Sequence, residues 1–222
     1  MIELKNISKS FGKREILKNI NFSVKEGELV SIMGKSGSGK TTLLNILGFF
    51  EYPSSGEYYF EEKLIKKEKQ MSKIRNANMG FVFQAYNLIP RLTVYENIVL
   101  PIFYSMDKKK KKEGLKLAEQ LIDKYGLGEI RNSFVENISG GEKQRACMVR
   151  ALVCDAKLII SDEPTGNLDE KNKNNVLEMF KEMNKQGKTI IIVTHDKDVE
   201  SIATKKYLLQ EGELVSNELA TD

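Results

Sequence analysis

Glu28-Leu29-Val30-Ser31-Ile32-Met33-Gly34-Lys35-Ser36-Gly37-Ser38-Gly39-Lys40-Thr41 is the stretch that decides the fold. Glu28 to Met33 reads as an apolar strand, and Gly34 to Thr41 fits the pattern G-x-x-x-x-G-K-[ST]. Thr41 to Leu47 then reads as a helix, so the pattern sits between a strand and a helix as its chemistry requires. The glycines let the backbone curl until successive N–H groups point inward at anionic oxygens. A helix beginning near Lys40 adds the positive end of its dipole. Lys40 supplies a point charge for β- and γ-phosphates, and the Thr41 hydroxyl is a ligand for Mg²⁺.

A nucleotide site of this kind needs acids on a neighbouring strand end. Leu158-Ile159-Ile160-Ser161 delivers Asp162 and Glu163 at the C-terminal edge of an apolar strand, where open α/β sheets bind ligands. Asp162 is the candidate holder of hydrated Mg²⁺. Glu163, one residue further, points differently and can polarise an attacking water. His195 closes a second apolar strand, Thr189 to Thr194, expected to run parallel to the first and so to face the same crevice. Gln84 ends Phe81-Val82-Phe83, and its amide can bind Mg²⁺ or water.

Other elements follow from spacing. The continuous β-branched runs suit strands of a parallel sheet covered on both faces. Between them Val176, Met179, Phe180 and Met183 make the stripe of an amphipathic helix. Strand, helix, strand in that order implies a parallel α/β core. Residues 1–30 show short alternating runs, Tyr52 to Gly56 reads as a turn into a strand Tyr58 to Phe60, and Met79 to Phe83 reads as a buried strand. Leu115, Ala118, Ile122 and Tyr125 mark one helical face, and Gly141 to Val153 reads as a helix buried on most sides. The region from about 88 to 155 is thus mostly helical and interrupts the core.

Composition narrows the function classes. The chain has 222 residues, 41% hydrophobic and 30% charged, which excludes wholesale disorder and suits one large domain or a domain with an inserted subdomain. No stretch approaches the ~18 apolar residues of a membrane span, and Met-Ile-Glu-Leu-Lys-Asn is no signal peptide. The expectation is a soluble, cytosolic chain, with any spanning left to another polypeptide. A net charge of +4 is too small to point to nucleic acid. Cys147 and Cys154 lie seven apart in an expected helix, ~10 Å between Cα atoms. A disulfide needs less than ~7 Å, so both are expected to be free thiols. His195 is the one histidine and no paired cysteine spacing exists, which argues against a zinc site. Lys108 to Lys112 reads as a solvated stretch at the start of a helix, although each lysine could add ~1 kcal/mol of attraction near an anionic bilayer.

Ile138-Ser139-Gly140-Gly141-Glu142-Lys143-Gln144 opens a helix with a serine cap and two glycines, a second anion-binding terminus, outside the core. With this segment the sequence resembles, over essentially its full length, the nucleotide-binding subunit of ATP-binding cassette (ABC) transporters. The resemblance implies a P-loop NTPase (RecA-like) parallel-sheet core with an N-terminal antiparallel β subdomain and an inserted α-helical subdomain. Residues 1–87 and 156–222 then form the core with its β subdomain, and 88–155 the helical signature subdomain. It implies ATP and Mg²⁺ as ligands. Gly34, Lys35, Ser36, Gly37, Ser38, Gly39, Lys40, Thr41 and Thr42 hold the nucleotide, with Phe11 where an aromatic ring stacks on adenine. Thr41, Gln84 and Asp162 form the metal shell; Glu163 is the base, His195 the switch near the γ-phosphate, and Gln84 the coupling glutamine. Ser139, Gly140, Gly141 and Glu142 match the signature that meets the γ-phosphate held by a partner subunit, and Asp169 lies in the loop crossing that interface. A homodimer formed on ATP is therefore implied.

Asn45 to Gly48, Ile74 to Asn76, Gly80 to Gln84, Asn87 to Thr93 and Glu163 to Asp169 are similar to the subgroup containing MacB, LolD and FtsE. That likeness implies a bacterial, peripheral subunit on the cytoplasmic face of the plasma membrane. It would drive an integral membrane permease of the MacB/FtsX type, for export of or resistance to peptides, lipoproteins or antibiotics. The alternative is an FtsE-like regulator signalling to cell-wall enzymes. The pattern is departed from at Ile138, where leucine is usual, at Glu142, where glutamine is common, and at Val135 and Lys35, where proline is common. A chromosome or DNA-repair ATPase would carry long coiled coils, and residues 42–138 contain none. A translation-associated ATPase would usually carry two cassettes, and one is present.

Overall fold

The computed structural model describes residues 1–104 and 108–216, so the ends of the expected core segment (217–222) and a short part of the helical subdomain (105–107) lie outside the described residues. The chain begins with β1 (Ile2–Phe11), β2 (Arg14–Val24), β3 (Leu29–Met33), α1 (Lys40–Leu47), β4 (Ser55–Phe60) and β5 (Lys63–Leu64). Next come α2 (Glu68–Asn78), β6 (Met79–Phe83), α3 (Val94–Phe103), α4 (Lys108–Lys124), a 3-10 turn (Val135–Asn137) and α5 (Gly140–Leu152). Then follow β7 (Leu158–Asp162), α6 (Glu170–Lys185), β8 (Thr189–Thr194), α7 (Lys197–Ser201), β9 (Lys205–Gln210) and β10 (Glu213–Ser216).

The first strands form an antiparallel sheet in the order β2-β1-β4-β5, and the rest a six-stranded sheet in the order β10-β9-β3-β8-β7-β6. Within the larger sheet β9, β3, β8, β7 and β6 run parallel, and β10 closes one edge antiparallel. The reason is visible along β8. Ile190 and Ile192 face one apolar core, built with α3, α5 and α6, while Ile191 and Val193 face another, built with α1 and the antiparallel sheet. A strand buried on both faces has no use for alternation, and its sequence shows none.

One boundary differs from the sequence expectation. Ser55 and Gly56, expected as turn, already belong to β4, because Ser55 pairs with Ser8 across a register shift in β1. The lysine run forms the first turns of α4, which starts at Lys108, as the expected solvated helix entry: Lys108, Lys109, Lys110 and Lys112 are exposed, and the buried face begins at Gly114.

Phe180 is fully buried in the core beneath α6. Phe180→Ala is expected to cost about 3–5 kcal/mol through lost burial and the cavity left behind. A urea titration reads this as a lower midpoint at unchanged slope.

Candidate active site

Because β3, β8, β7 and β6 are adjacent and parallel, their C-terminal ends share one edge of the sheet. Register fixes the order along it: Met33 lies opposite Thr194, Val193 opposite Asp162, and Asp162 opposite Phe83. The chain therefore sets out, side by side, the glycine-rich loop, Thr194 with His195, Asp162 with Glu163, and Gln84. These are residues far apart in sequence, gathered by backbone pairing alone.

The loop ends at Gly39, whose φ of 104° a residue with a side chain would resist; a Cβ there would also press on Leu17 at 2.9 Å. No side chain caps α1 and its first turn carries no acid, so its positive end is left for a ligand. The Ser38 hydroxyl is buried with no partner. An orphaned hydroxyl of this kind suits phosphate oxygens arriving beside it. The Lys40 ammonium folds across the loop, donating to the Gly34 carbonyl at 2.7 Å and the Lys35 carbonyl at 3.0 Å. Lys35, Ser36, Gly37 and Thr41 are exposed, and Thr42 is half-buried beside them.

Asp162 is half-buried, and its carboxyl is pushed up first by that burial and then by the negative Glu163, while Lys40 opposes the rise. A carboxylate crowded in this way gains from a cation, so Asp162, with Gln84 after the Phe83 that pairs beside it and Thr41 at the start of α1, fits Mg²⁺ in donor chemistry. Glu163 leaves β7 in left-handed backbone at φ 45°. That turn points its side chain away from Asp162 and toward β8, where one oxygen meets His195 Nδ1 at 2.9 Å. The other accepts from the Thr194 hydroxyl at 3.1 Å and the His195 N–H at 3.2 Å. His195 is mostly exposed and Glu163 is not. Gln84 reaches the same place: a Cβ on Gly166, three residues past Glu163, would stand 2.8 Å from its Nε2.

Thr194 was not among the expected site residues, yet it orients Glu163. The signal was a polar residue in the last position of an otherwise apolar strand. Phe11 ends β1 with its ring 52% exposed, and Lys9 lies 4.8 Å from the ring centroid. Lys9 is itself fixed by Glu51 and the Tyr52 carbonyl, both at 2.7 Å.

The second helix terminus belongs to the helical subdomain. α5 packs on α3, α4, α6 and β6, whereas α1 packs on β2 and β7. Ser139 caps α5, and Glu142 completes a capping box by accepting from the Ser139 N–H and hydroxyl, each at 2.7 Å. These bonds hold the Glu142 carboxyl below its usual range. Gly140 lies at the surface of this terminus and Gly141 is buried, its would-be Cβ position taken by the Asn172 side chain. Asp169 caps α6, accepting from the Asn172 N–H at 2.8 Å and from its side-chain amide at 3.0 Å. Asn172 thus joins the start of α6 to the start of α5.

Comparison with known proteins gives this geometry its setting. The family model described as "ABC transporter" matches residues 17–166. The chain is 46% identical over 224 residues to the ABC transporter ATP-binding protein YvrO of Bacillus subtilis, covering 98% of this chain and 97% of that one. It is 41% identical to the lipoprotein-releasing system ATP-binding protein LolD of Aquifex aeolicus, covering 97% and 96%. It is also 42% identical to the macrolide export ATP-binding/permease protein MacB of Campylobacter jejuni, of which it spans 34%. Among solved structures, the dimeric bacterial ABC transporter cassette MJ0796 superposes with a TM-score of 0.87 at 37% identity over the whole of both chains. The same cassette with ADP and Pi bound gives 0.86 at 36%. The loop, the acids at the shared sheet edge and these likenesses together make the chain a member of the ABC transporter family, an ATP-binding cassette with ATPase activity.

Proposed function

We propose that this ATPase dimerises on ATP and drives a separate membrane-spanning permease of the MacB/FtsX type, in the manner of MacB and LolD. The observation that carries the reading is the separation of two anion-seeking helix termini. α1 follows the phosphate loop on the sheet core, and α5 follows Ser139 on the helical subdomain, each packed on different elements. A phosphate held by the first needs the second from another copy. Phe11 receives the adenine, and Gly34 to Thr42 the phosphates. Thr41, Gln84 and Asp162 hold Mg²⁺, whose charge offsets that of the phosphate oxygens. Glu163 accepts the proton of the attacking water, and Thr194 and His195 keep its carboxylate aimed. Ser139 to Glu142 and Asp169 meet the partner subunit's nucleotide.

Loss of the γ-phosphate removes the group that both copies grip, so ADP favours the open state. Among the described residues no helix is long and apolar enough to cross a membrane. That agrees with a peripheral subunit on the cytoplasmic face of a bacterial plasma membrane, worked through its permease. Substrates in keeping with the likeness to MacB and LolD are peptides, lipoproteins or antibiotics.

The test is dilution. Phosphate release per subunit should rise with protein concentration until the dimer is saturated and then level off. A rate per subunit that stays constant down to concentrations where light scattering sees monomer alone sinks the proposal. Solubilising membranes in mild detergent and identifying the companion that stays bound tests the permease half.

A further inference from the structure

The loop after Gln84 holds two consecutive residues in left-handed backbone, Tyr86 at φ 61° and Asn87 at φ 50°. Side chains disfavour that region, and such strain persists only where the surroundings over-determine it. Here they do, from one face of α5. Arg150 donates through Nη1 to the Asn87 carbonyl at 2.5 Å and through Nη2 to the Tyr86 carbonyl at 2.8 Å. Cys147, one turn earlier on the same face, donates from its thiol to the Tyr86 carbonyl at 2.9 Å. Burial pushes that thiol up to about 12, so it keeps the proton it donates. The Tyr86 hydroxyl in turn lies 3.2 Å from where a side chain on Gly140 would begin. The far end of the loop is fixed by buried Asn97 on α3, which accepts from the Ile89 N–H at 2.7 Å and donates to the Ile89 carbonyl at 3.1 Å.

We propose that Arg150, assisted by Cys147, is a positioning residue that latches the strained Tyr86–Asn87 pair to α5, so that the loop after Gln84 and the Ser139 terminus move as one body. The inference rests on the dimer reading above, because Ser139 matters only if it meets a partner's nucleotide. A push on the loop is then delivered along α5 from Arg150 to its start at Gly140 without passing through the phosphate loop, which among the described residues shares no hydrogen bond with the latch. Loss of the latch should spare ATP binding to one subunit and impair closure of two.

The experiment compares Arg150→Gln, Arg150→Lys and Cys147→Ala in a Glu163→Gln background. Affinity for a fluorescent ATP analogue is read at monomer concentrations, and ATP-driven dimerisation by light scattering. Hydrogen exchange is followed over residues 84–90 and across α5. Arg150→Gln is expected to bind the analogue as its parent does while needing about tenfold more protein to dimerise, since charged hydrogen bonds are lost. Exchange should rise over 84–90 with α5 still protected. Arg150→Lys should recover part of the loss, and Cys147→Ala should show a smaller rise at the same residues. Dimerisation and exchange equal to the parent's overturn the latch, as does a loss spread over α5 or shared by analogue binding. Should Glu163→Gln itself stay monomeric with ATP, the dimer reading has failed. Exchange confined to 84–90 then supports the latch by itself, and its absence overturns it.

Discussion

Lys40→Ala is expected to abolish measurable ATP binding, lowering affinity by about a hundredfold or more. In the free protein the ammonium is satisfied by two backbone carbonyls, Gly34 and Lys35. In the proposed site, ATP binding exchanges those neutral acceptors for phosphate oxygens, and charge-assisted bonds are roughly twice as strong as neutral ones. Each hydrogen bond to a charged group contributes about 1.5–3 kcal/mol, and a lysine between two phosphates makes at least two. Alanine forfeits both and leaves the phosphate charge facing the Asp162 and Glu163 carboxylates with one cation fewer. The fold should be little affected, because the bonds that Lys40 gives up run to only two loop carbonyls, one of them on exposed Lys35. Titration with a fluorescent ATP analogue reads the loss, and an unchanged melting temperature separates it from unfolding. Normal affinity in the variant would contradict the role given to the loop.

Glu163→Gln should give the opposite phenotype, tight binding with almost no turnover. The amide keeps the shape of the side chain, and its oxygen can still accept from the Thr194 hydroxyl or the His195 N–H. It cannot take a proton from water. General base catalysis contributes about 10²–10⁴-fold, so phosphate release should fall by that factor. ATP then persists between two subunits, and the dimer should be isolable by size exclusion with Mg·ATP and dissociate when ADP replaces it. The substitution also removes the negative neighbour that pushes the Asp162 carboxyl up. Cation binding at Asp162 therefore need not suffer, and magnesium dependence of ATP affinity should remain close to that of the parent. A variant that turns over quickly as a monomer would remove Glu163 from the position of base.

Much of this was readable in the residues. The phosphate loop announces itself because its backbone needs glycine and the ligand proposed for it needs Lys40 and Thr41, a demand local enough to be written in eight consecutive letters. The β8 run and the α6 stripe are equally local, since periodicity records how many faces are buried. Spatial neighbours were harder. That Gln84 reaches Gly166 depends on β6 lying beside β7, a pairing between segments about eighty residues apart. The left-handed turn at Glu163 left no glycine or asparagine to mark it. Arg150 could have been noticed as a charge inside an otherwise apolar helical stretch, but its acceptors are backbone carbonyls, which every residue possesses and no sequence displays. The hairpin of β9 and β10, together with α2 and α7, went unread because each is short and takes its stability from the sheet it rests on.

The tethered acid at the start of α5 has a further consequence. Glu142 occupies the hydroxyl and the amide of Ser139 with its own carboxylate, so this helix start is never a bare positive pole in the lone subunit. A visiting anion meets that resident negative charge at the Ser139 hydroxyl and N–H. In the proposed dimer, stray anions would be held off by that charge, and ATP would reach the place only when a second subunit presents it.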